Sequence, residues 1–285
     1  MDLRIVICMA ALLPVAVHIL CFPAVIRWLT KTGMTRQNYR GEEVVTGGGV
    51  LLAGSTLATL VTVFLLEGAE PYGWLFLSGA TSMAAWGWKD DRSPACDKRI
   101  KGFRGHLHIL FQERRLTSGL WKAAGGGITS LVVSAALFDG GAQVLISALI
   151  LALSANLVNL FDLRPARAIK VFWLLLLIPL FGTLPACPVS LPWVLPVISA
   201  SLLLFPHDAK GRVMLGDTGS NFLGFVAGFL LVTSVPLSVQ IGVLVLFVFL
   251  HLLAERISFS RIIQSVSWLN RIDQWGRPME NPTRR

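Results

Sequence analysis

The feature that most constrains this chain is the recurrence of long apolar runs, the first of which, VICMAALLPVAVHILCFPAVI, begins just after Arg4. A helix that crosses a bilayer needs ~20 mostly apolar residues, because no water is present there to satisfy an open backbone. Such runs occupy roughly 4–27, 47–66, 72–89, 119–137, 142–161, 168–184, 190–206, 219–235 and 238–257. They leave no room for a separate soluble domain, so residues 1–285 read as a single polytopic membrane domain. Only 14% of the residues are charged, against ~25% in a soluble domain. The first run lacks a basic n-region and a small-residue cleavage site, and it reads as a retained helix. The expectation is an all-α membrane protein with about nine to ten transmembrane helices; the runs near 168–206 are short and interrupted by Pro185 and Pro188.

The charges between the runs alternate in kind. Glu67, Glu70 and Asp139 mark one side, where the connectors TLPACPVSLP and SVPLSV carry no charge at all. The other side receives Arg36, Arg40, Arg92, Lys98, Arg99, Lys101, Arg104, Arg114, Arg115, Arg164, Arg167, Lys210, Arg212, Arg261, Arg271, Arg277, Arg284 and Arg285. Cytoplasmic loops carry the Lys/Arg excess. The N-terminus is therefore expected outside and the C-terminus inside, with cytoplasmic segments 28–46, 90–118, 162–167, 207–218 and 258–285. Topology and contact with anionic headgroups account for such a basic face, each residue contributing ~1 kcal/mol. A phosphate-rich substrate is the sharper explanation, and it needs support beyond charge. The four cysteines, Cys8, Cys21, Cys96 and Cys187, form no CxxC pair and no metal-ligand spacing.

Acidic residues are scarce, yet several stand at helix ends on the basic side. Asp90 and Asp91 follow TSMAAWGWK, Asp162 follows SANLVNLF, and Asp217 opens the stretch Asp217-Thr218-Gly219-Ser220-Asn221. Asn159 lies three residues before Asp162, on the same helical face. A lone Asp at a helix end is usually a cap or topological marker. Carboxylates from several helices opposite a ring of Arg and Lys also suit Mg²⁺ held together with substrate phosphates. Gly47–Gly49 could open a helix against an anion or pack it closely, whereas Gly125–Gly127 read as close helix packing. No role is expected for His18 or His251, and His207 reads as a loop residue.

In this order the motifs resemble the polyprenyl-phosphate phosphosugar transferases, the family of the phospho-N-acetylmuramoyl-pentapeptide and N-acetylglucosamine-1-phosphate transferases. Gly47-Gly48-Gly49 looks like the family's Gly pair, and Gly87-Trp88-Lys89-Asp90-Asp91 like its DD motif. Asn156, Asn159 and Asp162 match NxxNxxD. Leu215-Gly216-Asp217-Thr218-Gly219-Ser220, preceded by Ala209-Lys210, matches (M/L)GDTGS, the most specific of these elements. The expected topology fits as well.

The resemblance implies a Mg²⁺-dependent enzyme of the bacterial inner membrane. It would transfer a sugar phosphate from a UDP-sugar to polyprenyl (undecaprenyl) phosphate and so initiate a cell-envelope glycan. It implies Asp217 as the metal ligand, Asp90 and Asp91 at the lipid phosphate or metal, and Asn159 and Asp162 at the nucleotide. Arg164 and Arg167, beside Asp162 where the family has glycines, would either grip the donor diphosphate with their planar forks or mark the cytoplasmic side against lipid headgroups. The expected partners are the polyprenyl phosphate lipid, a nucleotide sugar and the membrane; a homodimer is compatible, and no nucleic acid is expected. Three stretches differ from the family. Asp162-Leu163-Arg164-Pro165-Ala166-Arg167-Ala168 stands where the family has DGLDGLA, and Gly105-His106-Leu107-His108-Ile109-Leu110-Phe111-Gln112 stands where a Lys-rich stretch is usual. Arg256, Arg261 and Trp268 through Arg277 replace a histidine cluster. A catalytically silent relative, serving as a membrane scaffold or polyprenyl-phosphate-binding regulator, is the alternative. A transporter is disfavoured because the polar residues sit at helix ends.

Overall fold

The computed structural model describes residues 2–38, 40–68, 70–93, 102–182 and 191–278. Lys98, Arg99, Lys101, Arg284, Arg285, Cys96, Cys187, Pro185 and Pro188 lie outside the described residues, and of Arg104 and His106 only the backbone is described. The chain is almost entirely helical: α1 (Leu3–Lys31), α2 (Gly49–Glu67), α3 (Pro71–Asp91), α4 (Gly102–Glu113), α5 (Ser118–Leu137), α6 (Gly141–Phe161), α7 (Arg167–Gly182), α8 (Leu191–Ala209), α9 (Gly216–Ser234), α10 (Leu237–Ala254), α11 (Phe259–Ser265) and α12 (Ser267–Gln274). Six of these, α1, α2, α5, α6, α8 and α10, are long and apolar enough to cross a membrane. This is the architecture of a multi-pass membrane protein. Each of the nine apolar runs read from the sequence overlaps one described helix. By contrast α4, α11, α12 and the hairpin of β1 (Thr35–Gln37) and β2 (Glu43–Val45) were not anticipated.

Among the described helices, α9 is the axis of the bundle. Its residues are buried on every side except at Asp217, because α2, α3, α6 and α7 all pack against it. A helix apolar all round has no solvent face to offer and belongs in a core. Its small residues let neighbours approach closely, the usual means of joining helices where lipid is as apolar as leucine. A Cβ at Gly228 would lie 2.2 Å from Ser154 Oγ, and one at Gly224 2.4 Å from the Ser154 carbonyl. On the α3 side Phe76 meets Phe229 edge-on at 5.1 Å, and Gly79 makes room for the Phe225 ring.

The hairpin joins this bundle at one end. Thr35 pairs with Val45 in an antiparallel register, Val45 forms a parallel bridge with Val213, and Met214 N–H donates to the Val45 carbonyl at 2.7 Å. The segment leading into α9 is thereby fixed from outside as well as from within.

Candidate functional site

The C-terminal ends of α3 and α6 and the N-terminal ends of α2, α5 and α9 converge at the hairpin end of the bundle. Glycine permits the approach. A Cβ at Gly87 would stand 2.2 Å from the Asp217 carbonyl, and one at Gly49 would stand 2.1 Å from Gly219 N. Gly216 takes φ 74°, a conformation side chains disfavour, and a Cβ there would come within 2.9 Å of both Asp91 oxygens. The amides of Gly48 and Gly49 donate to the carbonyls of Met214 and Leu215 at 2.9 and 2.8 Å. They are committed to joining α2 to α9, which removes the expected option of an anion at the start of α2. Gly125 does pack closely, against the Trp86 ring.

Asp90 and Asp91 are adjacent in sequence and face different neighbours. Asp91 is buried, and its carboxylate accepts from Asp217 N–H at 3.0 Å, Thr218 N–H at 2.9 Å and the Thr218 hydroxyl at 2.7 Å. An anion over the first amides of a helix meets both unpaired donors and the positive end of the dipole. Arg36 of β1 closes this position, with Nη2 3.3 Å from the Asp91 carbonyl and 3.8 Å from Oδ1. Asp91 thus sets the position of α9 and, with it, Asp217.

Asp90 instead faces Asp217 across Lys122. The ammonium of Lys122 donates to Asp90 Oδ2 at 3.3 Å and to Asp217 Oδ2. Thr117 caps α5 through Leu120 N–H and so sets Lys122 in the second turn of that helix. Asn159, with its amide oriented to satisfy its neighbours, donates to Asp217 Oδ1 at 3.1 Å and Ser220 Oγ at 3.0 Å and accepts from Lys122 at 3.1 Å. Asn159 therefore belongs with the Asp217 cluster, whereas the resemblance implied a place at the nucleotide. Lys122 was missed in the sequence. The signal was there: a single ionisable residue in an otherwise uncharged membrane-type helix marks a functional position.

Asp162 caps the end of α6 and accepts from Gly216 N–H at 3.0 Å. Burial, then the negative charges of Asp208, Asp217 and Asp91, push its carboxyl well above the ordinary carboxylate range, with the Gly216 bond opposing them. Asp208, also missed, is buried on α8 and accepts from Ala166 N–H at 3.1 Å. A narrow cleft lined by Asn38, Asp162, Arg164, Asp208 and Met214 among others opens here.

No family model and no curated protein matches this chain. What it does must therefore be argued from the site itself.

Arg164 and Arg167 were expected to act together, and the structure separates them. Arg164 lines the cleft. Arg167 is buried and turned away from it: Nε and Nη2 hold the Asp273 carboxylate at 2.7 and 2.8 Å, and Nη1 donates to Ser260 Oγ at 2.8 Å. The guanidinium expected either at a donor diphosphate or at lipid headgroups is thus occupied by the chain's own carboxylate. Arg277 also donates to Asp273, at 2.8 Å, and to the Pro165 carbonyl at 2.9 Å. Burial alone would raise the Asp273 carboxyl; the bonds and charges of Arg167 and Arg277 outweigh it and hold the group below its usual range.

The donor set suits Mg²⁺. This ion takes one or two carboxylates plus waters and substrate phosphates, and Asp90 and Asp217 oppose each other with the Asn159 amide alongside. Among the described residues, no group of three His, Cys, Asp or Glu stands in metal-ligand geometry. Lys122 provides the positive charge between the two acids.

Proposed function

We propose that the chain is a phosphosugar transferase that moves a sugar phosphate from a UDP-sugar to polyprenyl phosphate. The observation that carries this reading is the meeting of Asp90, Lys122, Asn159 and Asp217, from four helices, at the end of the bundle where the basic segments gather. In the reaction an oxygen of the lipid phosphate attacks the donor phosphorus that bears the sugar. The bond from that phosphorus to the bridging oxygen breaks, and UMP leaves with the electron pair. Such a transfer depends on positioning and on neutralising charge more than on covalent chemistry.

The residues divide that work. Asp217 and Asp90 would hold Mg²⁺, which would supply charge neutralisation for the transfer. Lys122 stabilises negative charge on the transferring group, and Asn159 orients Asp217. Asp91 is a positioning residue, since its oxygens hold α9 in place. Asp162 and Arg164 face the donor side. In this reading about nine to ten helices cross a bacterial inner membrane, the N-terminus lies outside and the C-terminus inside, and two copies can pair. Fusion reporters at Gly68 and Asp139 would then read outside, and a reporter at Pro278 inside.

A silent relative is the second reading, and one observation favours it: the Lys122 ammonium is paired with both acids. One experiment separates them. Purified protein with Mg²⁺, undecaprenyl phosphate and a panel of nucleotide sugars should release nucleoside monophosphate, and Asp217→Asn should abolish release while leaving the protein inserted. No release with any donor, together with an unchanged cellular phenotype for Asp217→Asn, establishes the scaffold.

A further inference from the structure

The residues after α10 form a strap across the bundle's site end. Phe259 stacks on Phe161 at 5.0 Å, Asp273 is held by Arg167, and the Lys170 ammonium donates to the carbonyls of Ile272, Asp273 and Trp275 at 3.0, 2.8 and 2.7 Å. With Asp273 fixed inward, α12 turns its other face outward. Trp268 is 63% exposed, Ile272 55% and Trp275 61%. These positions are spaced four and three apart, so they form one stripe. Arg256, Arg261 and Arg271 are exposed along the same strap.

Two observations say what covers this stripe. The first is its level. Trp275 packs on Phe205 at 5.2 Å, and Phe205 packs on Trp173 at 5.0 Å. Trp173 lies six residues into α7 and Phe205 four residues before the end of α8, so the contact sits ~6–9 Å inside the helix ends. The 19 residues of α8 give ~28 Å, only about the thickness of a hydrocarbon core, so its last turn does not stand clear of the bilayer. The second is continuity and charge: α11 begins five residues after the membrane-type helix α10 ends, with Arg256 in that connector and Arg261 and Arg271 beyond it.

We infer that α11 and α12 lie in the headgroup region of the leaflet at the site end, with Trp268, Ile272 and Trp275 toward the acyl chains and Arg256, Arg261 and Arg271 on anionic lipid phosphates. Aromatic side chains favour this depth, and basic residues add attraction to an anionic leaflet. The strap also reaches the 162–167 segment, through Arg167 and the Pro165 carbonyl. Lipid composition therefore bears on the loop that carries Arg164. The inference concerns membrane contact and stands whether or not the chain is an enzyme.

The test uses the full chain, with its natural cysteines replaced by serine, in vesicles of equal parts phosphatidylglycerol and phosphatidylcholine. A nitroxide on Ile272→Cys is compared with one on Gln274→Cys, an exposed position off the stripe. Accessibility to oxygen over a water-soluble nickel complex should be higher at 272 than at 274, and the difference should shrink in phosphatidylcholine alone. As a label-free check, Trp275→Phe should remove part of the quenching of tryptophan fluorescence by lipids brominated near the headgroup. Equal exposure to the nickel complex at both positions, with no quenching lost, overturns the inference. Shielding of 272 from both reagents also overturns it, in favour of a protein partner or a second copy.

Discussion

Asp91 holds Thr218 twice: one carboxylate oxygen, Oδ2, accepts from both its backbone N–H at 2.9 Å and its hydroxyl at 2.7 Å. The two acids of the Asp90-Asp91 pair therefore do different work, although they read as equivalents in the sequence. One is a clasp between α3 and α9; the other faces the ammonium of Lys122.

Asp91→Ala should lower the unfolding midpoint of the detergent-solubilised protein. It strands buried donors, each worth ~1–3 kcal/mol when left unsatisfied. Asp90→Asn should move the midpoint less and remove nucleotide release. Equal loss of stability in both variants would contradict this division.

Lys122→Met removes the cation between two carboxylates. Breaking a buried pair by deleting one partner costs ~3–5 kcal/mol, and the Lys122 side chain keeps 18% of its exposure, which favours the lower end. Added Mg²⁺ or Mn²⁺ should restore more of the unfolding midpoint in Lys122→Met than it adds to the wild type. A variant insensitive to divalent cations would show that Asp90 and Asp217 do not form a metal site.

Arg167→Lys should destabilise the protein and loosen the strap, measured as faster proteolysis after α10. An ammonium cannot reproduce the two parallel bonds to Asp273 and the third to Ser260. Arg164→Lys should raise the donor KM in the release assay. If Arg167→Lys instead alters donor KM at unchanged stability, the strap is not what Arg167 serves.

Asp162→Asn addresses pH. The folded-state carboxyl is raised above its unfolded value, so this group contributes stability below the ordinary carboxylate range that is lost as pH rises through the raised value. At neutral pH the neutral Asn, which can still accept from Gly216 N–H, should be the more stable form. The gap to the wild type should close as pH falls. Unfolding midpoints of the two proteins across pH check this, and parallel curves would show that Asp162 is not held in a raised state.

The helices were legible because their cause is local. An apolar run of spanning length must satisfy its own backbone, and each of the nine runs overlaps a described helix. The hairpin and the α11–α12 strap were not legible, because short elements are set by what they dock on. Val45 pairs across to Val213 and Asp273 to Arg167, contacts that no sequence period announces.

The sequence by itself determined a membrane-type helical chain with one basic side, and it gathered Asp90, Asp91, Asn159, Asp162 and Asp217 as candidates, since scarce polar residues at apolar helix ends stand out without a fold. Only the tertiary structure decided their partners. Lys122 comes to Asp90 and Asp217 from a helix that carries no acid of its own, and Arg167, three residues after Arg164, turns to Asp273. The reason is range: burial of an apolar run depends on consecutive residues, whereas a charge is satisfied by whichever opposite charge packing brings within a few ångströms, however distant in the chain.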